Sequence, residues 1–426
     1  VLASFNDLFS NKKFESQWVV AMMKSKNMKL NNLSIVRSYF FLFLLAICFN
    51  CNAQKMELQQ EVIVLGNERT SQYFPLLRNK KIGFVGNHTS LIGDSHLLDS
   101  LLSANFDVIR IFSPEHGFRG LADAGELVDH DKDPKSGIEI VSLYGKNKKP
   151  KNEQLENVDL LLFDIQDVGV RFYTYISTLH YVMEAAAEND IPLIVLDRPN
   201  PNSHYVDGPI LQADFKSFVG MHPVPIVHGL TIGEYAQMIN GEKWLADGIQ
   251  CNLKVIACDN YARGDLYQLK VPPSPNLPNM MSIYLYPSLC LFEGTRISIG
   301  RGTEFPFQQY GHPELKGKEY FFVPKPMFGA KNPKLEGERC YGESFSDQKE
   351  IEIFKEQRIN LSYIIETYQS ISNKAYFFTN FFNLLAGNDI LKKQIMNGAS
   401  EEEIKDSWQE DLKVYLSMRS NYEIYD

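Results

Sequence analysis

The chain has 426 residues, of which 44% are hydrophobic and 22% charged, with a formal net charge of −9. That is the composition of a globular protein long enough for two domains. The acidic balance speaks against a nucleic-acid partner, because phosphate binding needs a basic face.

The first recognisable segment is a targeting signal. Met28 is followed by the basic Lys29 and Arg37, then by an apolar stretch from Tyr39 to Phe49. That stretch suits a secretory signal and is too short to span a bilayer. Cys51, Asn52 and Ala53 place small residues where a signal peptidase cuts, so the mature chain starts near Gln54. Residues 1–53 therefore read as an upstream extension (1–27) and a signal peptide. The protein is expected to cross the inner membrane and work in the periplasm, with no stable membrane span in its mature form. A lipid anchor on Cys48 or Cys51 ranks second, since Ile47 and Asn50 are poor residues just before such a cysteine. The remaining cysteines, Cys251, Cys258, Cys290 and Cys340, contain no C-x-x-C pair and read as buried free thiols rather than a zinc site.

From about residue 60, strands alternate with helices. The spacing predicts strands at 80–87, 106–114, 138–145, 158–166, 191–199 and 252–258, and helices at 97–104, 178–190 and 229–241. Thr231 is the N-cap of the last helix, with Glu234 at the capping-box position. Continuous apolar strands separated by helices predict an α/β fold: a mostly parallel sheet covered on both faces. The texture changes after residue 262. The Pro-rich stretch 271–279 has no regular structure, 291–311 is loop-like, 319–328 reads as sheet, and 360–371 and 401–419 read as helical. The predicted organisation is a Rossmann-like domain over 54–262 and a smaller α+β domain over 263–426.

Four strands end in polar residues: Asn87 and His88, then Glu115 and His116, then Asp164, Gln166 and Asp167, then Asp197 and Arg198. In an open parallel sheet these ends share the edge where ligands bind. No dinucleotide or phosphate-loop signature is present, nor a G-x-S-x-G elbow or an H-E-x-x-H pair. No cofactor is expected, whether metal or nucleotide. A carboxylate-rich cleft without a metal cage suits glycoside hydrolysis, where one carboxyl protonates the leaving oxygen and a second group manages the oxocarbenium charge or the water.

The motifs "SPEHGFRG", "DIQDVGVRFYTYISTL", "VLDRPNP", "HGLTIGEYA", "PSPNLPN" and "LFEGTRISIGRGTEFPFQQYG" resemble the exo-β-N-acetylmuramidase family of peptidoglycan recycling. The resemblance runs from about residue 60 to the end. It implies a Rossmann-like domain paired with a smaller C-terminal domain, an active site in the cleft between them, and removal of N-acetylmuramic acid from the non-reducing end of glycan fragments. The implied partner is a peptidoglycan-derived glycan or muropeptide. Glu115 is the first candidate for the catalytic carboxylate, and Glu293 or Glu304 for the second. Arg171 or Arg301 is the candidate reader of the substrate's lactyl carboxylate, by a bidentate fork. Asn87, His116, Asp164, Gln166, Asp167, Tyr173, Arg198 and Asn276 complete the expected binding set. Tyr173 and Tyr175 alternate, so at most one would face the cleft from an extended segment. Gly294, Gly300 and Gly302 are expected to let the backbone approach a ligand. The competing reading is a non-catalytic periplasmic protein that binds muropeptides or sugars on the same scaffold.

Overall fold

The strands of the sheet are buried on both faces, and their alternation shows it. In β1 (Lys81–Gly86), Ile82 and Phe84 face one apolar cluster and Val85 the other. In β5 (Leu160–Asp164), Leu161 and Phe163 face the cluster shared with Val85, while Leu160 and Leu162 face the opposite one. A period of two sends successive side chains to opposite sides, so only a continuous apolar run can fill both. Each fully buried Leu or Phe contributes about 1.5–3 kcal/mol.

The structure, a computed structural model, describes residues 62–115, 117–119 and 131–426. The predicted signal segment and His116 lie outside the described residues. The remaining strands of the sheet are β2 (Asp107–Ser113), β3 (Asp131–Lys132), β4 (Glu139–Ser142), β6 (Leu193–Leu196) and β7 (Leu253–Ile256). Their order is β3-β4-β2-β1-β5-β6-β7, parallel except for β3, which runs antiparallel to β4 at one edge. The chain builds outward from β1 through β2 to β4, then returns to β5 on the other side of β1. The direction of growth reverses between β1 and β5, which is the switch point of a Rossmann-like sheet.

Helices α1 (Thr70–Leu77) and α2 (Leu97–Ser103) cover one face, and α3 (Tyr175–Glu188) and α4 (Ile232–Gly241) the other. The predicted cap of α4 is present. Thr231 Oγ1 accepts from the Glu234 amide at 3.2 Å, and Glu234 returns the bond to the Thr231 amide at 2.9 Å.

The C-terminal lobe holds α5 (Met280–Leu289) and an antiparallel sheet of β8 (Gln309–His312), β9 (Phe321–Phe322) and β10 (Cys340–Ser344), ordered β8-β10-β9. Six helices follow: α6 (Glu350–Glu356), α7 (Ser362–Ser370), α8 (Phe381–Ala386), α9 (Ile390–Met396), α10 (Glu401–Asp406) and α11 (Gln409–Arg419). Two expectations change here. The strand predicted at 319–328 shrinks to Phe321–Phe322, because Pro324 and Pro326 cannot donate to a ladder. The helix predicted over 401–419 is two helices, broken at Ser407 and Trp408. Sequence periodicity missed α5 because every one of its residues is buried. A helix that is apolar all round has no stripe to read.

The lobe packs back on the sheet domain. Tyr425, at the end of the chain, donates to Asp197 Oδ2 at 2.6 Å, and Arg263 pairs with Glu234 at 2.8 Å. The four cysteines among the described residues are free and buried.

Candidate active site

Between the sheet domain and the C-terminal lobe lies a cavity of about 860 Å³. Its walls come from the ends of β2 and β4, the turn before α3, the Pro-rich loop, the segment 290–307 and the turn 329–334. The carboxylates that line it are Glu115 and Glu293, and the cations are Arg301, Lys331 and Lys334. In a chain of net charge −9, a lining with more cations than carboxylates is a local reversal that favours an anionic ligand.

Glu115 stands immediately beyond β2 and Pro114. Thr174 donates to its Oε2 at 3.2 Å, and the Tyr144 phenol lies near enough to feel the charge of the same carboxyl. Tyr144 follows β4 as Glu115 follows β2, so two neighbouring strand ends deliver an acid and a hydroxyl to one point. Burial, reinforced by the charge of Glu115, raises the Tyr144 phenol above its ordinary range, and burial does the same for Tyr175. Both phenols therefore stay protonated donors.

Opposite this group, Arg301 Nε meets Glu293 Oε1 at 2.9 Å. Its guanidinium lies over the Phe307 ring, 5.4 Å from the centroid. Burial works against the charge of Arg301, but Glu293, with Tyr286, Cys290 and Glu115, holds it above its ordinary value. Arg301 thus sits in the field of both cavity carboxylates. Lys334 closes the wall by donating to the carbonyls of Phe292, Thr295 and Ile297 at 3.2, 2.6 and 3.1 Å. Burial lowers its ammonium, and nearby Glu293 partly offsets this.

Tyr173 and Tyr175 both line the cavity. The expectation that at most one would do so assumed an extended segment. The chain turns at 171–174 and enters α3 at Tyr175, so alternation does not apply. Both hydroxyls reach the Pro273 carbonyl, at 2.9 and 3.4 Å. Asn276 also lines the cavity; its amide nitrogen is bound to the Gly329 carbonyl at 2.7 Å, leaving the side-chain oxygen.

Several expected site residues are elsewhere. Arg171 is fully buried, and its guanidinium donates to the carbonyls of Pro209, Val224, Leu385 and Ala386 at 2.7–2.9 Å. It ties the sheet domain to α8 and has no face on the cavity, which corrects its assignment as a carboxylate reader. Glu304 is exposed and does not line the cavity, which leaves Glu293 as the second carboxylate. Asn87 accepts from the Thr89 amide and hydroxyl and donates to the Tyr175 hydroxyl at 3.1 Å, so it positions a cavity residue from behind. Asp164 pairs with Arg198 Nε at 2.7 Å and accepts from Asn67 at 3.1 Å. Gln166 donates to the Asp167 and Pro199 carbonyls, both at 2.8 Å. Asp167 caps the Gly169 amide at 2.7 Å, and burial pushes its carboxyl up to about 7. Asn87, Asp164, Gln166, Asp167 and Arg198 are all absent from the cavity wall. The tight glycines face protein rather than ligand: a side-chain carbon at Gly294 would lie 2.4 Å from Phe382 Cα.

Sequence reading missed Tyr144, Thr174 and Lys334. Tyr144 fell inside the strand predicted at 138–145, and only the observed end of β4 at Ser142 places it beyond the strand. Nothing in the sequence marked Lys334, one of many lysines on the lobe.

A Rossmann-like domain and an α+β lobe enclose two carboxylates, neutral phenols and an arginine, a set suited to acid–base hydrolysis of a glycosidic bond. Comparison places the chain more closely. Residues 82–281 match the family model for the N-terminal domain of the exo-β-N-acetylmuramidase NamZ, and residues 284–425 match that for its C-terminal domain. The peptidoglycan β-N-acetylmuramidase NamZ of Bacillus subtilis is 39% identical over 398 residues, covering 88% of this chain and 93% of the relative. Two crystal structures of DUF1343 family proteins from Bacteroides fragilis are similar. One has a TM-score of 0.80 at 48% identity, covering 86% of this chain and 99% of the other. The second has a TM-score of 0.70 at 28% identity, covering 85% and 99%. The chain belongs to the NamZ exo-β-N-acetylmuramidase family.

Proposed function

We propose that this protein is an exo-acting glycosidase that removes N-acetylmuramic acid from the non-reducing end of peptidoglycan glycan fragments. The observation that carries the reading is the setting of Glu115. A carboxyl delivered by a strand end to a cavity wall, hydrogen-bonded by Thr174 and set beside the Tyr144 phenol, is placed to protonate a leaving oxygen. Glu293, steadied by Arg301 through one oxygen, keeps the other oxygen for the positive charge that develops at the anomeric carbon. Muramic acid differs from glucosamine by a lactyl carboxylate. Arg301 supports recognition of that group: its Nε is spent on Glu293, and its two terminal nitrogens have no acceptor among the described residues. A planar pair of N–H donors matches a carboxylate. Export to the periplasm, read from residues 28–53, belongs to the same proposal because the polymer lies there.

The test is incubation with a chromogenic β-N-acetylmuramide beside the matching glucosaminide. Chromophore release from the muramide alone is the expected result. Equal release from both, or none from either, removes the reading.

A further inference from the structure

An exo-acting enzyme takes one terminal sugar into its cavity, and the rest of the glycan must leave across the rim. One exposed aromatic ring, Phe381, stands there, and a second, Phe328, belongs to the residue next to the wall in sequence. Helix α8 lays one face on the cavity wall through Phe381 and Leu385, one turn apart. Leu385 is 2% exposed, whereas Phe381 lines the same cavity and is 38% exposed. The neighbouring Phe377, Phe378 and Phe382 pack on one another, with ring centroids 4.6–4.7 Å apart in successive pairs. Phe381 stays out of that cluster. Its position is fixed from behind, because Gly294 admits the Phe382 backbone and its carbonyl accepts the Thr379 amide at 2.9 Å.

The second ring is Phe328, 61% exposed, immediately before Gly329 and Ala330 of the cavity wall. Its turn is closed by paired hydrogen bonds between Met327 and Ala330, at 3.1 and 2.9 Å. Gly329 has φ +84°, and a side-chain carbon there would lie 2.8 Å from Pro275 Cβ. Only glycine fits such a turn, so Phe328 is presented by a stiff support.

An exposed phenylalanine forgoes the gain from burial, and Phe381, on the wall of the cavity, awaits an apolar face. A β-linked N-acetylhexosamine supplies one. Its ring substituents are equatorial, so its axial C–H bonds present a weakly positive face to the negative face of an aromatic ring. We propose that Phe381, with Phe328 as a second ring, forms a stacking subsite for the sugar that follows the cleaved one. This inference rests on the exo-glycosidase reading above.

The experiment compares two substrates: a disaccharide with N-acetylmuramic acid at its non-reducing end, and β-N-acetylmuramyl fluoride, whose leaving group cannot reach the rim. The quantity read is the ratio of their kcat/KM values. Phe381→Ala should lower the disaccharide-to-fluoride ratio about tenfold, the order expected for one ring contact. Phe381→Trp should keep the ratio, while Phe381→Leu, apolar but without a ring, should lose it. Phe328→Ala should lower it less. An unchanged ratio in both alanine variants, or an equal fall on both substrates, overturns the subsite. Wild-type protein that cleaves neither substrate defeats the glycosidase reading itself.

Discussion

Two sets of polar residues lie along the same edge of the parallel sheet, and they are used in opposite ways. At the ends of β1, β5 and β6, the side chains of Asn87, Asp164, Gln166, Asp197 and Arg198 bond to one another and to nearby backbone. At the ends of β2 and β4, Glu115 and Tyr144 stand side by side and face an open cavity. Both sets obey the rule that polar residues gather at the carboxyl ends of parallel strands. What separates them is whether the hydrogen-bonding capacity is already spent. Asp197 is the extreme case: its two oxygens hold the Gly233 amide at the start of α4, the Thr231 hydroxyl and the Tyr425 hydroxyl. Such a carboxylate builds the edge and leaves nothing for a substrate.

The same contrast divides the two arginines. Arg171 gives four hydrogen bonds to buried carbonyls, while Arg301 gives one to a cavity carboxylate. Mutation should therefore separate scaffold from site. The largest effect falls on Glu115→Gln, which keeps the shape and removes the proton. Turnover of natural muropeptides should fall by roughly 10² to 10⁴, with the thermal midpoint unmoved. Near-wild-type turnover would shift suspicion to Glu293.

Arg171→Met should do the reverse. It removes four hydrogen bonds to buried carbonyls, of which that of Val224 keeps the Leu211 amide, and lost buried partners of this kind cost about 3–5 kcal/mol. A urea titration should show the loss. If Arg171→Met instead lost muramide selectivity at unchanged stability, the comparison between the arginines would break.

Arg301→Gln should raise KM for the muramide by about tenfold to a hundredfold, the worth of a charged pair, and reduce its preference over the glucosaminide. Steady-state kinetics on both chromogenic substrates reads this directly.

The smallest effect is on acid stability. His180 and His222 share a buried hydrogen bond of 2.9 Å, and His180 lies 3.5 Å from Glu184, which Lys149 also engages at 2.8 Å. Burial lowers His180 to about 4, lowers His228 to about 3 and holds His222 well below its ordinary value. Below pH 6.5 the unfolded chain takes up protons that these buried rings refuse, so stability falls as pH drops from about 6.5 toward 4. Asp167 acts the other way. Its raised carboxyl contributes stability that is complete below about pH 4 and lost as pH rises through about 7. Asp197, which burial pushes up to about 6, acts in the same direction as Asp167, but the lowered histidines, with His204 at about 4 among them, are more numerous and leave a net loss in acid. A thermal midpoint that rose from pH 6.5 to pH 4.5 would reverse this account.

The sequence by itself determined the sheet. Apolar runs such as 158–166 can be buried on two faces only in a covered parallel sheet, and Thr231 with Glu234 marks the start of α4 from local chemistry alone. Glu115 was legible for the same reason, since a carboxylate after Pro114 sits at a strand end wherever the strand goes. Tertiary structure decided which polar residues were free. Whether Arg171 reads a substrate or holds four carbonyls depends on Leu385 and Ala386, more than two hundred residues later in the chain. The same holds for the cavity: the sheet supplies Glu115 and Tyr144, the lobe supplies Glu293, Arg301 and Lys334, and only packing brings them together. Local propensity specifies elements, but a site is a set of unsatisfied groups, and satisfaction is a long-range property.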